Sequence, residues 1–179
     1  MKCEFCEEAN LKVGDKTRYG AVVIYKIGNT KNGWFATLSP RTGGDPEKDF
    51  SIQLMPCAHL KYFSDINSNQ ELTKNYGIAF GKICAAAGQL VKEKDKGNDR
   101  IPLGTYGKCK HPDEHVHFKI FPYKGAIGQP FTTDSSFARK EICVDEDGEE
   151  FVKLTPVKKV NLSKKRFEQL ANELIKLLK

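Results

Sequence analysis

Residues Glu114 to Pro122, EHVHFKIFP, alternate polar and large apolar side chains over a run too short for a helix. A period of two marks a β-strand. Successive strand side chains point to opposite faces, so His115, His117, Lys119 and Phe121 share one face while Val116, Phe118 and Ile120 share the other. Core is expected on one side and chemistry on the other. Neighbours on a face stand about 6.6–6.8 Å apart, a spacing at which two imidazoles and an ammonium can serve one substrate. A phosphate group can bridge them.

Three earlier runs carry the same strand signal. Ala21–Ile27, Trp34–Leu38 and Phe50–Met55 are rich in β-branched and aromatic residues and are separated by Gly, Asn and Pro clusters. Their short connections predict an antiparallel meander. Ser68-Asn69-Gln70-Glu71 has the capping-box form Ser-x-x-Glu. A helix starting there places Leu72, Tyr76, Ala79, Phe80, Ile83, Ala87, Leu90 and Val91 on one face and stops near Lys94, ahead of Gly97-Asn98-Asp99. Ile101–Lys108 reads as a fourth strand and the histidine run as a fifth.

Beyond Pro122, Glu141–Val144 and Glu150–Leu154 flank the turn Asp145-Glu146-Asp147-Gly148, and Ser163 caps a final helix. That helix presents Phe167, Leu170, Ala171, Leu174, Ile175 and Leu178 on one face. The acidic turn lacks the ligand spacing and closing glutamate of a calcium loop. The fold expected is α+β: an antiparallel sheet of about five strands, one long packing helix, and a C-terminal hairpin plus helix. Residues 1–122 form the core, and 123–179 complete the same domain.

At 179 residues the chain can bury one good core, and 39% hydrophobic with 29% charged residues is a soluble globular balance. No run approaches a membrane span, and the start MKCEFCEEAN lacks a signal peptide's apolar stretch, so a cytoplasmic protein without a membrane partner is expected. The six cysteines then point to thiol or metal roles in preference to disulfides. A homodimer is an assembly left open.

The net charge of +6 lies in the tail: residues 151–179 hold eight Lys or Arg against two acids, 8 − 2 = +6. Lys164, Lys165 and Arg166 crowd the first turn of the last helix, where the helix dipole disfavours cations. That is either a solvated face or an anion site for a nucleic acid.

Cys3 and Cys6 form a Cys-x-x-Cys pair with too little chain before it for a thioredoxin-type arrangement. Two thiolates make half of a tetrahedral zinc site, and histidine is the natural supplier of the rest. The chain has four histidines, and three of them, His111, His115 and His117, fall in one seven-residue window.

The run from His115 resembles the histidine triad (HIT) motif His-φ-His-φ-His-φ-φ, where φ is apolar, with Lys119 at the third histidine's position. Pro56-x-x-His59 after the third strand resembles a second HIT feature, in the expected order. Where many HIT proteins carry Asn-x-Gly and Gly-Gln, this chain has Gly104-Thr105-Tyr106-Gly107 and Pro112-Asp113-Glu114.

The resemblance, over about residues 3–122, implies hydrolysis or transfer at the α-phosphate of a nucleotide or nucleotide conjugate. His117 would be the nucleophile, forming a nucleotidyl-histidine intermediate, and Lys119 would offset charge on the phosphate oxygens. It further implies a structural zinc on Cys3, Cys6, His59 and His115, the last by analogy with the transferase branch similar to galactose-1-phosphate uridylyltransferase. His111 or Cys109 is the substitute for His115. The competing class is a zinc-stabilised nucleotide- or RNA-binding protein with little or no catalysis.

Overall fold

The computed structural model describes residues 3–43, 45–94, 103–108, 115–122, 139–155 and 159–179. Strands β1 (Val22–Ile27), β2 (Trp34–Leu38), β3 (Arg41–Thr42), β4 (Ile52–Pro56), β5 (Leu103–Lys108) and β6 (His117–Pro122) are joined by the long helix α2 (Gln70–Lys94) between β4 and β5. A short helix α1 (Glu4–Glu8) precedes them. Strands β7 (Arg139–Val144), β8 (Glu150–Thr155) and β9 (Val160–Asn161) and helix α3 (Lys164–Leu177) follow.

The main sheet is antiparallel throughout, with order β1-β2-β4-β6-β5. This is the expected five-stranded α+β arrangement. The histidine strand is interior to it, between β4 and β5, so its backbone is paired on both sides and its side chains are held in register. A two-residue ladder between β3 and β9 was not legible in the sequence.

One face of the sheet packs against α2 and α3. Trp34, Ala36, Leu38, Ile52, Leu54 and Ile120 meet Leu72, Ala79, Ile83, Ala87 and Leu90 of α2 and Phe167, Leu170, Ala171 and Leu174 of α3 in one core. The indole N–H of Trp34 donates to the Leu72 carbonyl at 2.9 Å, which satisfies the one polar atom this large ring brings inside. The α3 residues form the expected apolar face, and Ser163 Oγ accepts from the Arg166 amide as N-cap. Among the described residues no helix is long and apolar enough to cross a membrane.

Helix α2 starts differently from the capping-box expectation. The cap is Asn69, whose Oδ1 accepts from the amides of Glu71 and Leu72 at 2.9 and 3.3 Å. Ser68 instead ends a 3₁₀ helix, Phe63–Ser68. Asn69 has extended backbone, which breaks the 3₁₀ turn and leaves its short amide side chain aimed at the orphan amides of the new helix. Its C-terminal limit at Lys94 is as expected.

The opposite face carries a smaller cluster of Phe35, Met55, Cys57, Ala9 and Phe5. A β-bulge between Val23 and Tyr25 determines how β1 serves it. Before the bulge Val23 lies opposite Thr37; after it Tyr25 lies opposite Ala36 and Lys26 opposite Phe35. The extra residue reverses the alternation, which puts Tyr25 in the main core and turns Lys26 onto the Phe35 face. There its ammonium donates to the carbonyls of Ala9 and Leu11, at 2.6 and 2.7 Å, and fastens the segment after α1 to the sheet.

The β7–β8 hairpin forms a separate two-stranded sheet. Its turn follows the sequence expectation, with Gly148 at φ +84° and Asp145 Oδ1 accepting from the amides of Asp147 and Glu149.

Candidate metal centre and the histidine strand

Helix α1 brings the two cysteines together. Cys3 sits at its N-cap and Cys6 one turn along, so a three-residue spacing places both sulfurs on the same side. His59 follows the end of β4, and His115 stands two residues before β6, where the amide of Val116 donates to the Leu60 carbonyl and ties the two approaches together.

The donor atoms of Cys3, Cys6, His59 and His115 all lie within 4.8 Å of one another. Nδ1 of His115 is 3.4 Å from Cys3 Sγ and 3.6 Å from Cys6 Sγ, and Nδ1 of His59 is 3.5 Å from Cys6 Sγ. A tetrahedral ion bound at ordinary Zn–S and Zn–N lengths sets sulfur and nitrogen about 3.6 Å apart. The three separations fit one ion at the centre. Cys3, Cys6, Cys57, Cys84 and Cys143 are all free thiols. The four residues are therefore close enough to bind a metal ion, with no disulfide between the two cysteines competing. Cys109 and His111, the substitutes for His115, lie outside the described residues.

The surroundings suit the donor set. A carbonyl oxygen only accepts, so the 2.8 Å contact between His115 Nε2 and the Pro56 carbonyl makes Nε2 the protonated nitrogen and leaves the Nδ1 lone pair toward the sulfurs. Burial draws the His115 pKa down to about 4, which keeps the ring neutral as a ligand must be. For Cys6, burial first, then the hydrogen bond and charge of Cys3, push the thiol up to about 11. Two thiolates this close are unfavourable without a cation between them.

The strand's alternation is as expected. Phe118 and Ile120 belong to the core under α2, while Lys119 lies opposite Gln53 and His117 takes the face covered by Phe5. His117 Nδ1 contacts the His115 carbonyl at 3.1 Å, so by the same reasoning Nδ1 carries a proton, and in the neutral ring Nε2 carries the lone pair. The Phe5 ring packs edgewise on both imidazoles, with centroids 5.7 Å from His115 and 5.3 Å from His117. His117 and Lys119 are 4% and 7% exposed, a more enclosed setting than alternation alone conveys.

The basic turn of α3 is a separate place. Lys164 and Lys165 are exposed, but Arg166 is buried, and α3 belongs to the core on the α2 face of the sheet, not to the His117 face. The structure thus brings the four candidate ligands together and sets His117 beside them. It does not bring Lys164, Lys165 or Arg166 to that site.

Sequence reasoning missed α1, Phe5, Lys26 and the Pro56 carbonyl. An aromatic residue between two cysteines in a polar opening was the one available signal for Phe5. Comparisons with protein-family models, with curated proteins and with solved structures each return no match.

Proposed function

We propose that the chain is a HIT-like protein that holds a structural zinc and acts at the α-phosphate of a nucleotide or nucleotide conjugate, with His117 as nucleophile. One observation carries the reading: the His117 Nδ1–H is committed to the His115 carbonyl, so Nε2 holds the lone pair that attack on phosphorus requires. Lys119 is two residues on along the same face, where its charge opposes that gathering on the nonbridging oxygens.

In this reading Nε2 forms a bond to phosphorus as the bond to the leaving group breaks. Water or a second acceptor then displaces the imidazole and releases the nucleotide. The first acceptor makes the chain a hydrolase and the second a transferase. Bound by Cys3, Cys6, His59 and His115, a zinc ion has four protein ligands and supplies stability only.

A second reading is favoured by the low exposure of His117 and Lys119. It makes the chain a zinc-stabilised nucleotide- or RNA-binding module. The deciding experiment is release of a nucleoside monophosphate from dinucleoside polyphosphates, nucleoside phosphoramidates, nucleotide sugars and adenylated nucleic-acid ends. His117→Ala should abolish turnover with zinc content unchanged, and acid quench should trap a nucleotidyl adduct on His117. Lys119→Ala should lower the rate by on the order of 10²–10³, as loss of one oxyanion donor does elsewhere, and Lys119→His should keep or raise hydrolysis. Turnover that survives in His117→Ala rejects the nucleophile; no turnover by any variant on any substrate leaves the binding module.

A further inference from the structure

We propose that Phe5 is a positioning residue, through which metal capture by Cys3 and Cys6 sets the orientation of the His117 ring against the His115 carbonyl. The inference rests on the nucleophile reading of His117, and each step of it is local.

Phe5 lies between the two cysteine ligands in sequence. Its helix has five residues, far below the length at which a helix persists unaided, so α1 is held by what it docks on. Lys26, Glu4 and the cysteine pair hold it. At its C-terminal side Lys26 fastens the carbonyls of Ala9 and Leu11. At its N-terminal side Glu4 accepts from the Tyr19 hydroxyl and pairs with Arg18 at the exposed surface, and Cys3 and Cys6 share a candidate metal site with His115 of a different segment.

Between these anchors the Phe5 ring sits on Phe35, Met55, Cys57 and Ala9 and turns its remaining surface to the imidazoles. Its plane is 84° from that of His115 and 63° from that of His117. Edge-to-face contacts of this kind are directional. Rotating the His117 ring off the His115 carbonyl would break its packing on Phe5, so the ring favours the rotamer whose Nδ1–H meets that carbonyl. Without the metal the N-terminal side of α1 keeps only the exposed Glu4 contacts with Tyr19 and Arg18, and the packing of Phe5 weakens.

The consequence is a link between a closed metal site and the face that carries His117. His115 supplies a ligand nitrogen and the carbonyl that His117 uses. Phe5 provides the second connection, from the cysteine side.

The test uses the full chain with ¹⁵N-labelled histidine, loaded with one equivalent of zinc or stripped by chelation, at one fixed pH. Long-range ¹H–¹⁵N correlations report the His117 tautomer, and exchange with solvent reports its Nδ1 proton. Loaded wild type should show a single Nδ1–H tautomer. Loaded Phe5→Ala and stripped wild type should both exchange this proton roughly 2- to 10-fold faster, the range expected for losing one aromatic edge contact. Phe5→Leu, which keeps apolar volume without an aromatic edge, should behave like Phe5→Ala, and Phe5→Tyr should restore the wild-type signal. Elemental analysis should find one zinc per chain in every loaded variant. An unchanged His117 signal in loaded Phe5→Leu, or in stripped wild type, overturns the proposal. These readouts need no turnover, so a chain that proves inactive defeats the enzyme reading without altering the outcome for Phe5.

Discussion

Replacing Lys26 with Met should weaken the metal centre from the far side of α1. The Lys26 ammonium donates to two main-chain carbonyls, those of Ala9 and Leu11, and is partly buried. Hydrogen bonds to a charged group contribute about 1.5–3 kcal/mol each when buried. Taking the low end for a half-buried group gives about 3 kcal/mol as an upper bound for the pair. Met retains much of the aliphatic packing, so the loss falls chiefly on the hydrogen bonds. Because α1 carries two of the four candidate ligands, much of that loss should appear as weaker metal affinity, about 10- to 100-fold. The assay is competition for zinc with a chromophoric chelator, run beside thermal melts of the stripped chains. If Lys26→Met holds zinc as tightly as wild type while its melting temperature falls, Lys26 supports the sheet alone and the coupling through α1 is refuted.

Acid should destabilise the metal-free fold through His115, whose pKa is drawn down to about 4 from 6.5 by burial. The unfolded chain takes up this proton first, so the contribution is fully present above pH 6.5 and is lost as pH falls from there to 4, a change of about 3 kcal/mol. Urea midpoints across that range should drop in wild type and drop less in His115→Asn. Gly33→Ala should cost about 3 kcal/mol, since an added Cβ would meet the Asn29 and Ile27 carbonyl oxygens at 2.3 and 2.6 Å; calorimetry that finds no loss would contradict this. Replacing Lys164 and Lys165 with Gln should lower the salt slope of single-strand RNA binding by about 1.4, two phosphates' worth. Unchanged affinity in that variant makes these lysines a solvated face.

Much of the framework was legible because it depends on local pattern. Trp34–Leu38 is bounded by Gly and Ser-Pro and came out with its observed limits, and the α3 face could be written from spacing alone. The candidate metal cluster was legible for a different reason: spacing marked the cysteine pair, and the resemblance to the HIT motif pointed to His59 and His115. What escaped depends on tertiary position. The bulge in β1 shifts Lys26 from one face to the other without any glycine to mark it. Helix α1 has no period to read in five residues, and its hold on the sheet comes from Lys26, the Phe5 packing and the cysteine cluster. Asn69 replaced Ser68 as the cap because the preceding 3₁₀ turn ends in Ser68.

The four ligands are widely separated along the chain: His59 lies 53 residues from Cys6, and His115 lies 112 from Cys3. A single ion gripping both ends of that span closes a loop whose chain-entropy cost is about 4 kcal/mol. During synthesis the cysteine pair emerges before His59, and His115 follows Cys3 only after 112 residues. An ion caught early by the thiols would lack its His115 ligand until the segment leading into β6 is made. Release of a bound ion should accordingly report unfolding of the middle of the sheet, although the thiols of the cluster belong to α1.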